Sequence, residues 1–142
     1  MSADPAHALA DAGLARFFAL IEARRAAPFV WGGHDCCLFA ADAALALTGK
    51  DHAAAWRGRY HCAAGAARLL ARLGGLSALA SNAGPQIMPL AAGVGDVGLL
   101  HHGGRELLGV CVGDVWLSPA AGAGLAAQPL GAALAAWRVG NA

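Results

Sequence analysis

Charge is scarce in this chain. Only 13% of its 142 residues are Asp, Glu, Lys or Arg, and 10 basic residues against 9 acidic ones leave a formal net charge of +1. A nucleic-acid surface must neutralise many phosphates, so this balance excludes nucleic acid as the expected partner. Long apolar runs free of glycine and charge are also missing, and no membrane span is expected. No basic segment leads into an apolar stretch near the start, so a secretory leader is not expected either. The cysteines are few and badly spaced for cross-linking. Cys36 and Cys37 are adjacent, Cys62 and Cys111 stand alone, and the paired CxxC units of a structural zinc site are absent. Neither a disulfide framework nor a metal or other cofactor is expected, and a thiol-keeping cytoplasm is the expected setting during expression.

What remains is rich in Ala and Gly. Apolar residues make up 58% of the chain, enough for a core, although alanine contributes little apolar area for each residue buried. The length suits one domain spanning residues 1–142. Arg24, Arg25, Arg57, Arg59, Arg68 and Arg72 concentrate positive charge in the first half and read as ordinary solvated or structural residues.

Ser2 to Asp4 before Pro5 resembles a helix start. Leu14, Phe17, Phe18 and Ile21 then recur at helical spacing, predicting a helix to about Arg25. Further helices are expected over Cys36–Leu47, Ala63–Leu73 and Leu76–Ser81, with Gly49 and Gly74-Gly75 as stops. Asn82–Gly95, holding Pro85 and Pro89, reads as a loop. The period then changes. Strands are expected over Val97–Leu100, Glu106–Val112, from Val115, and over Leu125–Leu130, with His101–Arg105 as a turn and Ala132–Trp137 compatible with helix. Helices gathered first and an antiparallel meander second indicate an α+β fold.

The segment Trp31-Gly32-Gly33-His34-Asp35-Cys36-Cys37 carries the sharpest chemical signal. With Asp35 as N-cap, Cys36 occupies the first helical turn, where free N–H groups and the aligned peptide dipoles favour a thiolate. The same amides can stabilise an oxyanion. Cys36 is therefore the candidate nucleophile. Trp31, His34, Asp35 and Cys37 are candidates for lining the cleft or oxyanion site, and Cys37, about 100° further round the helix, is read as a packing group. Cys62 and Cys111 lack a comparable helix-start setting and are read as structural. A nucleophilic thiol needs a base. His7, His52 and His61 lie in surface-like segments, whereas His101 and His102, at the turn between the central strands, are the candidates able to reach Cys36.

Val30-Trp31-Gly32-Gly33 followed by Asp35-Cys36 resembles the nucleophile block of the NlpC/P60 superfamily of papain-like cell-wall peptidases, and especially its small phage- and prophage-encoded relatives associated with tail genes. Gly95-Asp96-Val97 resembles that superfamily's entry to its central sheet, and Gly109-Val110-Cys111-Val112-Gly113 the strand that ordinarily carries the catalytic His. The resemblance implies N-terminal helices packed on an antiparallel sheet, a cell-wall peptide as substrate, phage tail proteins as partners, and incorporation into a phage or prophage tail. It also implies a departure. The position expected for His is Leu107, which cannot accept a proton, and the third polar position falls near Leu117 or Ser118. Two readings stay open: a thiol hydrolase with a noncanonical site that draws its base from His101 or His102, and a noncatalytic structural or tail-assembly module that retains the fold.

Overall fold

The computed structural model describes residues 5–140; the expected cap at Ser2 to Asp4 lies outside them. Four helices come first: α1 (Pro5–Arg24), α2 (Cys36–Thr48), α3 (Ala63–Leu73) and α4 (Leu76–Ser81). Six strands follow: β1 (Gln86–Ile87), β2 (Val97–His102), β3 (Arg105–Cys111), β4 (Val115–Pro119), β5 (Leu125–Pro129) and β6 (Ala135–Trp137). They form one antiparallel sheet in the order β1-β6-β2-β3-β4-β5. The fold is α+β, with helices on one face of the sheet.

Alanine and glycine let α1 and α2 approach closely. A methyl group placed on Gly13 would lie 2.2 Å from the Leu47 carbonyl oxygen, so this contact admits no side chain on α1. Phe17 and Ile21 of α1, Phe39 and Ala43 of α2, and Val97, Leu99, Leu108 and Val110 of the sheet form the main core between the two layers. A second cluster joins Leu38 and Ala41 to Trp56, Tyr60 and Leu69, anchoring the segment between α2 and α3. Trp116, Leu100, Cys111 and Ala136 fill the opposite face of the sheet. There Gly98 and Gly109 pair across β2 and β3, and a methyl on Gly98 would come 3.0 Å from the Trp116 ring.

The structure differs from the sequence expectation at three places. β2 runs on through His101 and His102, because Gly103 and Gly104, with φ of 60° and 77°, close the hairpin alone in the left-handed conformation that two-residue turns demand. Ala135–Trp137 is a strand rather than a helix: pairing with β1 and β2 overrides alanine's local helix preference. The loop after α4 contains β1 and a 3₁₀ turn at Pro89–Ala91. No described helix is long and apolar enough to cross a membrane.

Candidate active site

Asp35 builds the start of α2. Its backbone is extended, and its buried carboxylate accepts from Leu38 N at 3.0 Å, capping the helix, and from Gly32 N at 2.9 Å. The Tyr60 hydroxyl donates to the same carboxylate at 2.5 Å. Burial, and then this bond to Asp35, pushes the Tyr60 hydroxyl far above its ordinary range, so it remains a donor. One side chain thus ties the Trp-Gly-Gly turn, the helix start and the connector together. Asp35 accepts rather than donates, so its part in the candidate cleft is to hold the cap and not to bind an oxyanion.

Cys36 is the first residue of α2 and is half-buried. Its thiol is held below the ordinary thiol range, first by a hydrogen bond with the Cys37 side chain and then by the main chain of Leu108 and of Cys37. Burial and the nearby Asp35 charge act in the opposite direction. Cys37 is pushed well above the ordinary range, first by the same bond and then by burial. The bond between the two thiols favours ionisation of one of the pair and opposes ionisation of both. Cys37 packs against both core clusters, as its place on the helix suggests, and lines a small crevice of about 30 Å³ with Ala40, Ala44, His52, Trp56 and Leu108.

The other cysteines are simpler. Cys62 is the exposed N-cap of α3 and its sulfur accepts from Gly65 N at 3.4 Å. It does have a helix-start setting, contrary to the sequence reading. Cys111 is buried in the sheet, where its sulfur accepts from Gly113 N.

His34 is buried and faces α1. Arg24 reaches its Nδ1 at 2.9 Å. Since a guanidinium only donates, Nδ1 is the acceptor and the proton sits on Nε2, which is buried without a hydrogen-bond partner. Arg24 also binds Asp42, which pairs with Arg57, which pairs with Asp51, linking α1, α2 and the connector. Burial first, and the Arg24 charge second, hold His34 below the ordinary imidazole range, while Asp42 and Asp35 pull the other way. The unfolded chain takes up this proton near pH 6.5, whereas the folded chain resists it to lower pH. His34 thus contributes stability that is complete above about pH 6.5 and is lost as pH falls below it. Urea midpoints measured from pH 7.5 to 5 should fall in the wild type, and fall less steeply in His34→Gln. A residual slope is expected from His52, which burial shifts in the same direction. An identical slope in both proteins would show that His34 is not the group responsible.

Trp31 packs edge-on to Phe29 at 4.9 Å and against the second core cluster. Leu107 packs with Leu100 and Trp116 on the far face of the sheet. Leu117 joins the main core and Ser118 is buried. Side chains alternate along a strand. His101, two residues beyond Leu99, therefore stands on the α2-facing side, opposite Glu106 in register, while His102 stands opposite Arg105 on the other side. Both histidines are exposed, and among the described residues neither hydrogen-bonds Cys36. The sequence reading named neither Tyr60, Arg24 nor Asp42 as part of this site. Their links join side chains far apart in the chain. Among the described residues no cluster of His, Cys, Asp and Glu is gathered in a way that would hold a metal ion.

A family model described as "Domain of unknown function (DUF6950)" matches residues 12–139. Comparison with curated proteins gives no match. Among solved structures, the NlpC/p60 domain of the peptidoglycan hydrolase SagA superposes with a TM-score of 0.56 over 92% of this chain and 98% of that one, at 21% identity. The architecture is therefore that of an NlpC/p60 domain.

Proposed function

We propose that this chain, which belongs to the family described as a Domain of unknown function (DUF6950), is an NlpC/P60-like thiol hydrolase of cell-wall peptides that works within a phage or prophage tail. The observation that carries the reading is the place of Cys36, half-buried as the first residue of α2 behind the Asp35 cap; its thiol is also held below the ordinary thiol range. The likeness of the Trp31–Cys36 block to tail-associated relatives supports the setting.

The chemistry runs in two steps. Cys36 Sγ attacks the amide carbonyl carbon, and first-turn amides of α2 hold the negative oxygen. The C–N bond then breaks as the leaving amine takes a proton from the His101 imidazolium, which leaves a thioester and a neutral imidazole. Water next adds to that thioester, loses its proton to His101, and releases the acid and the Cys36 thiolate. His101 is the imidazole on the correct face. It stands roughly 7 Å along the strand from Leu99, opposite Glu106 in register. This base is exposed and not preorganised, so hydrolysis is expected to be slow until substrate binding draws the hairpin inward.

The noncatalytic tail-assembly reading keeps one observation in its favour: Cys36 is partly buried and packs against the main core cluster. Alkylation separates the two readings. A small haloacetamide should modify Cys36 selectively, with a midpoint below the ordinary thiol value of about 8.5, and Cys37→Ala should raise that midpoint by removing the donated bond. Cys36→Ser controls for the other cysteines, above all exposed Cys62. An unshifted Cys36 midpoint in both proteins would leave only the assembly role.

A further inference from the structure

No acidic residue occurs between Asp51 and Asp96, whereas Arg57, Arg59, Arg68 and Arg72 all fall in that stretch. Arg57 is neutralised by Asp42 and Asp51. Among the described residues Arg59, Arg68 and Arg72 have neither an ion pair nor a side-chain hydrogen bond. Arg68 and Arg72 are four apart on α3, a spacing that sets like charges side by side at a cost to the helix.

Two of these free guanidinium groups border one depression. Arg59 and Arg72, with Ala55, Trp56, Leu69 and Leu73, line an open recess of about 370 Å³ between the connector and α3. Trp56 and Leu69 are buried and belong to the second core cluster, so this wall of the recess is rigid. Its size is that of a small-ligand site, with apolar walls and few polar groups. The polar groups carry one sign only, and arginine forks match the planar geometry of a carboxylate. Trp56 stacks on Tyr60 at 6.3 Å, and Tyr60 donates to Asp35, the cap of the helix that begins with Cys36. The recess and the thiol are thus tied to one rigid set of contacts.

We propose that this recess is a second binding site that takes a carboxylate borne on an aliphatic peptide. Arg59 and Arg72 grip the carboxylate, and Trp56, Leu69 and Leu73 cover the adjoining methylenes. The assignment of the ligand to cell-wall peptide rests on the hydrolase reading; the anionic specificity does not. Occupation of the recess would fix which stretch of a carboxylate-rich peptide is held beside Cys36.

The test uses the full chain carrying Cys36→Ser, which binds without turnover, and nuclear magnetic resonance titration with three probes: a cell-wall stem peptide with free carboxylates, the same peptide amidated, and inorganic phosphate. The free peptide should shift the Trp56 indole signal and bind at least tenfold more tightly than the amidated one. Arg59→Gln/Arg72→Gln should abolish that preference while leaving the thermal transition in place. Equal binding of the two peptides, or an unaffected double variant, would overturn the site. Phosphate that shifts Trp56 without competition from the peptide would overturn the carboxylate assignment. Selective peptide binding by a protein whose wild type hydrolyses nothing would uphold the recess and sink the hydrolase reading alone.

Discussion

Cys36→Ser should lower hydrolysis of cell-wall peptides by roughly 10³-fold or more while changing stability by no more than about 1 kcal/mol. The substitution keeps the shape of the side chain, its helix-start position and the cap made by Asp35. What it removes is a group that can ionise near neutral pH: a hydroxyl in the same place stays protonated, and no imidazole is hydrogen-bonded to it to take the proton. The bias that Cys37 supplies acts on a thiol and has little to act on in serine. Mass spectrometry of stem peptides, read for new termini, measures the loss. His101→Gln should also reduce the rate, but less, because the thiolate forms without its help and only protonation of the leaving amine and activation of water suffer. Equal turnover by wild type and Cys36→Ser would end the case for a thiol mechanism, and absence of turnover in the wild type would leave the assembly role.

The nucleophile block was legible in the sequence because its physics is local. A short acidic residue before a helical run caps it, and Asp35 does; glycines in the left-handed conformation stop helices, and Gly49 and Gly74 do, with φ of 80° and 93°. The Gly95-Asp96-Val97 match has a physical basis too. Asp96 is buried at the head of β2 and accepts from Gly93 N and Val139 N, which pins the strand to the loop before it and to the chain beyond β6. The rest of the site depends on distant partners. Tyr60 meets Asp35 across 25 residues, and Arg24 reaches both His34 and Asp42 from another helix. His101 illustrates the subtler failure. A run of His-His-Gly-Gly-Arg reads as a polar turn, yet the two glycines complete the turn alone, and only the register with Glu106 shows which histidine shares a face with the thiol.

The two glycines of the Trp-Gly-Gly turn should differ sharply when each is changed to alanine. Gly32 has φ of +80°, and a methyl there would sit 2.2 Å from the Tyr60 carbonyl oxygen, a main-chain atom that cannot rotate aside. Left-handed backbone costs an alanine about 1–2 kcal/mol, and relieving the overlap adds about 1–3 kcal/mol. Together these put Gly32→Ala at roughly 3 kcal/mol of lost stability, a large share of the total for a domain of this size. Gly33 has ordinary backbone, and its methyl would meet the Val30 side chain at 3.3 Å, with the Val30 carbonyl oxygen at an ordinary contact distance of 3.7 Å. Val30 is half exposed and can give way, so Gly33→Ala should cost less than about 1 kcal/mol. The Gly32 change also reaches the chemistry. Moving Tyr60 away strains its bond to Asp35, and Gly32 N is itself a donor to that carboxylate, so the cap over Cys36 loosens with the turn. Urea denaturation of both variants checks the energies, and the alkylation midpoint of Cys36 checks the coupling, which should move in Gly32→Ala and stay fixed in Gly33→Ala. Equal stability losses in the two would mean that the turn relaxes freely, and that the approach of Gly32 to Tyr60 does not hold the helix start in place.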